Sequence, residues 1–163
     1  MKSFREYVLA RPIEFQSKKM DVPPNFSKFH VRWLLRKDAV AISEMDNGID
    51  IQELSHLLSE RDTVGFVCEA FDDIADARMP IGFFILKYFD DEMEVVRIKC
   101  LPQYESKFLD HAMPKIISKV GARLKKIYIL DDAAGSPQFY ARLKQYGFSG
   151  RQTNLGWEFV YQK

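Results

Sequence analysis

Three apolar runs follow one another between residues 63 and 101, and they restrict the fold more than any other feature of the chain. They read TVGFVCEAF, PIGFFILKYF and EMEVVRIKCL. Each is rich in β-branched and aromatic residues, the mark of strands. The polar DDIADARM joins the first to the second as a hairpin, and the acidic DDE makes a tight turn into the third. Links this short force antiparallel neighbours, because a parallel crossover needs about a dozen residues or more. The middle of the chain is therefore an antiparallel meander.

The flanks alternate helix and strand. FHVRWLL alternates as a strand. RKDAVAISEMDN puts Ala39, Ile42 and Met45 on one helical face, with Asn47 and Gly48 as the stop. DIQELSHLLSE is a second helix, with Asp50 as cap, Glu53 completing a capping box, and Leu54, Leu57 and Leu58 as its stripe. After the meander, Met113, Ile116, Ile117 and Val120 recur with helical period. KKIYIL is a strand, SPQFYARLKQY a helix ended by Gly147, and LGWEFVYQK a last strand. The order β-α-α-β-β-β-α-β-α-β predicts an α/β fold, a mixed sheet flanked by helices. Residues 1–28 read as an N-terminal extension, a short helix and the Pro-fixed linker DVPPNF, ahead of a domain over 29–163. Its Phe4, Tyr7, Val8, Ile13 and Phe15 would pack back on the domain or on a second subunit, which makes a homodimer a candidate.

Composition narrows the class. The 163 residues suit one domain, and a 47% apolar share can fill a core. A net charge of +1 gives no basic excess, so nucleic acid and acidic lipid are not expected partners. No apolar run approaches the ~18 residues that span a bilayer. The start, MKSFREYVLARPIEF, carries charges throughout and no small-residue cleavage site, so a cytoplasmic protein is expected. Cys68 and Cys100 lie inside apolar strands. Neighbouring strands would allow a disulfide; two buried thiols in a reducing compartment is the plainer expectation. His30, His56 and His111 are scattered without metal-site spacing, so no metal is expected. Trp33 and Trp157 read as core aromatics.

One stretch, CLPQYESKFLDHAM over 100–113, has the frame of a phosphate-binding strand-loop-helix but no glycine. A helix starting at Ser106 would carry Pro114 in its second or third turn, at about 3 kcal/mol. A helix starting near Met113 would place Pro114 comfortably in its first turn.

VRWLLRKDAVAISEMD, VGFVCEA, IGFFILKYF, VRIKCLPQYESKFLDHAM and YGF resemble, in order, elements of the GNAT superfamily of N-acetyltransferases. These are its opening strand and helix, second strand, third strand, fourth strand with cofactor loop, and the ending of its last helix. The resemblance runs from about Phe29 to the end and is strongest toward the bacterial enzymes that acetylate the N-terminus of a ribosomal protein. It implies transfer of an acetyl group from acetyl-CoA to an amine, a small molecule or a peptide N-terminus. It also implies a coenzyme pyrophosphate held on N–H groups at a helix start. The pattern there is Arg or Gln, two variable residues, Gly, one variable residue, then Gly or Ala. This chain has Glu105, Ser106, Lys107, Phe108, Leu109 and Asp110, so the loop is degenerate. Lys107 stays basic, and His111 adds to it. Phe108 and Asp110 replace the small residues, and a β-carbon there obstructs close approach to a phosphate.

The resemblance also implies roles further along. Main-chain groups of Ile98, Lys99 and Cys100 would pair with the pantetheine arm. Asp131 would be the base, although a strand-end Asp is commonly a cap or turn former. The acid, a Tyr four residues before the helix-ending Gly, is replaced by Leu143, which leaves Tyr140 and Tyr146 as candidates; both also suit plain core packing. Ser136 stands where an Asn is expected. Nothing near Cys100 supplies a base to activate it as a nucleophile. The rival reading is a GNAT-like binding or dimerisation module that has lost coenzyme and catalysis.

Overall fold

A computed structural model describes residues 26–119, 126–130 and 137–162. The expected extension up to residue 25, with Asp131 and Ser136, lies outside the described residues. The elements are β1 (Phe26–Trp33), a 3-10 turn (Arg36–Asp38), α1 (Ala39–Met45), α2 (Ile51–Ser59), β2 (Thr63–Asp72), β3 (Ala77–Phe89) and β4 (Glu92–Cys100). They continue with a second 3-10 turn (Pro102–Tyr104), α3 (Glu105–Ile117), β5 (Lys126–Leu130), α4 (Pro137–Gln145), β6 (Ser149–Thr153) and β7 (Gly156–Gln162). The strands form one seven-stranded sheet in the order β1-β2-β3-β4-β5-β7-β6. Every pairing is antiparallel except β4 with β5.

The meander is continuous in sequence hydrophobicity because both sheet faces are covered. Along FFIL of β3, Phe83 and Ile85 join Leu34, Ile42 and Leu54 on the α1–α2 side. Phe84 and Leu86 join Phe108, Leu109, Met113 and Ile116 on the α3 side. Phe139 and Leu143 of α4 extend that second core to Phe159 of β7.

Helix ends follow their local chemistry. Asp50 caps α2, its carboxylate accepting the Glu53 N–H at 2.7 Å. α4 closes in a Schellman motif: Phe148 N–H donates to Leu143 O at 3.1 Å, and Gly147 N–H to Lys144 O at 3.1 Å. Gly147 adopts φ 93°, a left-handed conformation that glycine reaches without steric cost.

The sequence left three points to be corrected. The last strand is two: Ser149–Thr153 is a polar edge strand whose SGRQT has no apolar alternation to mark it. It turns at Asn154 and Leu155 into β7, where Thr153 Oγ1 donates to Gly156 O at 2.9 Å. The two tryptophans are not core residues. Trp33, 58% exposed, ends a sheet-edge strand and stacks on Phe66 at 4.7 Å, while Trp157 is 48% exposed. α3 starts at Glu105, so Pro114 stands in its interior. Proline has no N–H to give the carbonyl of Asp110, and the helix carries that loss.

Candidate functional site

The sheet opens where β4 leaves β5. Parallel pairing runs only from Glu92 with Lys126 to Val95 with Ile129. The next β5 residue, Leu130, pairs with Glu158 of β7. At the same level β4 carries a bulge: Ile85 pairs with Arg97 and Leu86 with Val95, so Val96 is extra. A bulge bends its strand and re-aims the residues beyond it. From there Ile98, Lys99 and Cys100 pair with β3 alone among the described residues. Their second main-chain edge is unused by any described strand. The two strands splay apart there, where the resemblance would put a pantetheine arm.

The chain then turns sharply into α3. Leu101 N–H donates to Ile81 O at 2.8 Å, at a bulge in β3, and pins the turn to the sheet. Tyr104 and Glu105 donate their N–H groups to Leu101 O and Pro102 O. Phe108, Leu109 and Asp110 fall inside the helix, where N–H groups serve carbonyls four residues back. Ser106 and Lys107 are the second and third helical residues, and their N–H groups fall in the helix's first turn.

The side chains of this segment diverge in three directions. Phe108 and Leu109 are 0% exposed and belong to the core. The Phe108 ring lies over Gly82 of β3, where a built Cβ would collide with the ring and stand 2.9 Å from Cys100 Cβ. Lys107 turns toward β1, its Nζ 5.9 Å from the centre of the Phe29 ring. His111 goes the same way, its ring 5.2 Å from that of Phe29 and its Nδ1 2.8 Å from Lys107 O. Glu105 and Ser106 face a groove between α3 and α4, with Gln103 beside them and Gln138, Ala141 and Arg142 opposite. This open groove encloses about 420 Å³.

Asp110 bridges the two helices. Its Oδ1 accepts from Arg142 Nη2 at 2.6 Å and from the Tyr146 hydroxyl at 2.7 Å. Burial, and then the Asp110 carboxylate, push the Tyr146 phenol above its ordinary range. Tyr140 stacks on Phe159 at 4.7 Å with 20° between the rings. Leu143 is 0% exposed, so the position the resemblance gives to the acid is core.

Cys68 and Cys100 are free thiols. Each pairs in register with Gly82, so they lie two strands apart, about 9.5 Å and beyond disulfide reach. Burial pushes both thiols up to about 12, which suits inert core groups. Among the described residues no three His, Cys, Asp or Glu side chains converge as a metal site, and no helix is long and apolar enough to cross a membrane.

Sequence reasoning missed two residues here. Gly82 was legible as a lone glycine inside the apolar IGFFIL, a sign of close approach. Arg142 was legible as the centre of a polar i, i+4 row that begins at Gln138 on α4 and ends at Tyr146 just past it.

No family model matches the chain, and a search of curated proteins finds no match. Solved structures do match. An acetyltransferase from Thermus thermophilus superposes with TM-score 0.62 at 11% identity, over 84% of this chain and 98% of that one. PaiA N-acetyltransferase from Thermoplasma acidophilum, solved with coenzyme A, gives 0.58 at 17% identity, over 84% and 100%. The ribosomal-protein-S18-alanine N-acetyltransferase from Escherichia coli gives 0.57 at 12% identity, over 82% and 91%. At these identities the likeness is one of fold.

Proposed function

Starting from a chain that carries the GNAT fold, we propose an N-acyltransferase that takes acetyl-CoA and transfers its acetyl group to an amine. The supporting observation is the open edge of β4 beyond the Val96 bulge, running directly into the groove at the start of α3. A main-chain edge does not depend on side-chain identity, so the replaced loop residues leave it intact. Phe108 fits the coenzyme better than its size suggests, because its ring fills the space over Gly82 and not the groove. Glu105 is adverse to a pyrophosphate.

Acetyl-CoA, when bound, supplies the acyl group as a thioester. The main chain of Ile98, Lys99 and Cys100 would orient its arm as an added strand does. Asp131 would take the proton of the attacking amine, and Tyr146 or Tyr140 would return one to the leaving sulfur. The raised phenol of Tyr146 keeps its proton at neutral pH, as an acid must.

The test is thermal unfolding with and without coenzyme A. At a hundred times its dissociation constant a ligand adds about 2.7 kcal/mol and raises the melting temperature visibly. No shift at millimolar coenzyme A would end the acyltransferase reading. A second reading, a coenzyme-binding GNAT module without turnover, draws support from the buried Leu143 and from the Tyr146 hydroxyl already given to Asp110. Stabilisation by acetyl-CoA with no thiol release across a panel of amines and peptide N-termini would favour it.

A further inference from the structure

Resting on that reading, we infer that Arg142 of α4, and not the basic residue of the α3 turn, holds the phosphates of the coenzyme, and that Asp110 competes with them for it. Lys107 is the cation that the sequence pattern points to, yet its ammonium lies against the Phe29 ring on the β1 side and does not line the groove. Among the described residues lining the groove, Arg142 is the cation, set across from Ser106 and the anionic Glu105. A phosphate entering here meets the guanidinium.

The guanidinium has donors to give. It carries five N–H groups in a planar fork that matches phosphate oxygens. Two hydrogen bonds are spent, Nη2 to Asp110 at 2.6 Å and Nη1 to Gln145 at 3.1 Å. Nε is buried and has no partner among the described residues. The Asp110 carboxylate is 46% exposed, so water can take over its solvation when a phosphate draws Arg142 away. Without a ligand, Asp110 neutralises Arg142 and keeps the side chain at the groove wall. With one, the ligand's phosphates take the place of the carboxylate.

The experiment measures coenzyme A by titration calorimetry and pantetheine, which lacks phosphates, by chemical-shift titration. It uses the full chain and the variants Arg142→Gln, Asp110→Asn and Lys107→Ala, each checked for native circular dichroism. Loss of a charge-assisted contact predicts a roughly tenfold or greater loss of coenzyme A affinity in Arg142→Gln. Its pantetheine affinity stays within about twofold, as a contact to phosphate alone requires. Asp110→Asn tightens coenzyme A, because the competing charge is gone. Lys107→Ala changes coenzyme A affinity by less than about twofold, since it removes only a distant point charge in water. Equal coenzyme A affinity in wild type and Arg142→Gln, or a tenfold loss in Lys107→Ala, would overturn the inference and leave the acyltransferase reading standing. If Arg142→Gln does not fold, weaker coenzyme A binding by Asp110→Asn than by wild type overturns it as well. A wild type that binds neither coenzyme A nor pantetheine sinks both.

Discussion

The first two turns of α3 carry two unlike faces, and their departures from the GNAT pattern are compensated in unlike ways. On the core face the large Phe108 stands where a small residue is expected, and the missing volume has been taken from β3, where Gly82 leaves room for the ring. On the groove face Asp110 brings an unexpected charge, and Arg142 of α4 and Tyr146 just past its end bind it. The first is a packing compensation, buried and close to rigid. The second is electrostatic, exposed to water and open to exchange. A departure from a sequence pattern therefore need not stand alone. The substitutions have partners elsewhere in the chain, and only the buried partnership is locked.

Phe108→Ala tests the locked side and carries the largest expected effect. It empties a fully buried aromatic site and should cost about 3–5 kcal/mol in urea unfolding. A loss under about 1 kcal/mol would show that the ring is not what seats α3 on the sheet.

Gly82→Ala sharpens the same contact. Overpacking typically costs about 1–3 kcal/mol. Combined with Phe108→Ala, the added methyl should cost clearly less, because the ring it met is gone and Cys100 Cβ, 2.9 Å away, is what still crowds it. A double-mutant cycle reads this coupling, and additive losses would refute the pairing of volumes.

Cys68, which pairs with Gly82 and belongs to the same core as Phe108, reports on that region through pH. Its thiol is raised by burial from the ordinary 9.0 to about 12 in the folded chain. Between these values the unfolded chain loses the proton first, so its bound-proton count is the lower and stability falls with rising pH. Cys68 should contribute a decline of up to about 1.4 kcal/mol per pH unit above 9, with its full contribution present below that pH. Urea midpoints at pH 8 and 10 for wild type and Cys68→Ala check it. Equal slopes in the two proteins would place the thiol in contact with water.

The smallest effect belongs to the groove face. Asp110→Asn removes one partner of an ion pair whose carboxylate is 46% exposed. Exposed pairs contribute roughly 0–1 kcal/mol, so the melting temperature should barely move. A loss comparable to that of Phe108→Ala would mean the two faces are not so different after all.

Much of the architecture was legible in single stretches. The meander, the Asp50 cap, the Gly147 stop and the crossover from β4 to β5 follow from apolar periodicity and turn chemistry, which act within a few residues. β6 was not, because an exposed edge strand needs no apolar face. Trp33 and Trp157 misled, since an indole indicates apolar surface without saying whether the sheet covers it. The site divides along the same line. The approach of β4 to a groove was readable from the strand, the Pro and the polar turn. The destinations of Lys107, Phe108 and Asp110 were not, because they are set by Phe29, Gly82 and Arg142 on three other elements.

By itself, then, the sequence determined which segments are strands and helices and that β4 runs into a helix start, because hydrogen bonding and hydrophobic period are local. Only the tertiary structure decided that Phe108 leaves the groove clear, that Lys107 faces away from it and that Arg142 enters it. Side-chain direction is settled by volume and charge on neighbours distant in sequence, and packing brings those neighbours together only in the folded chain.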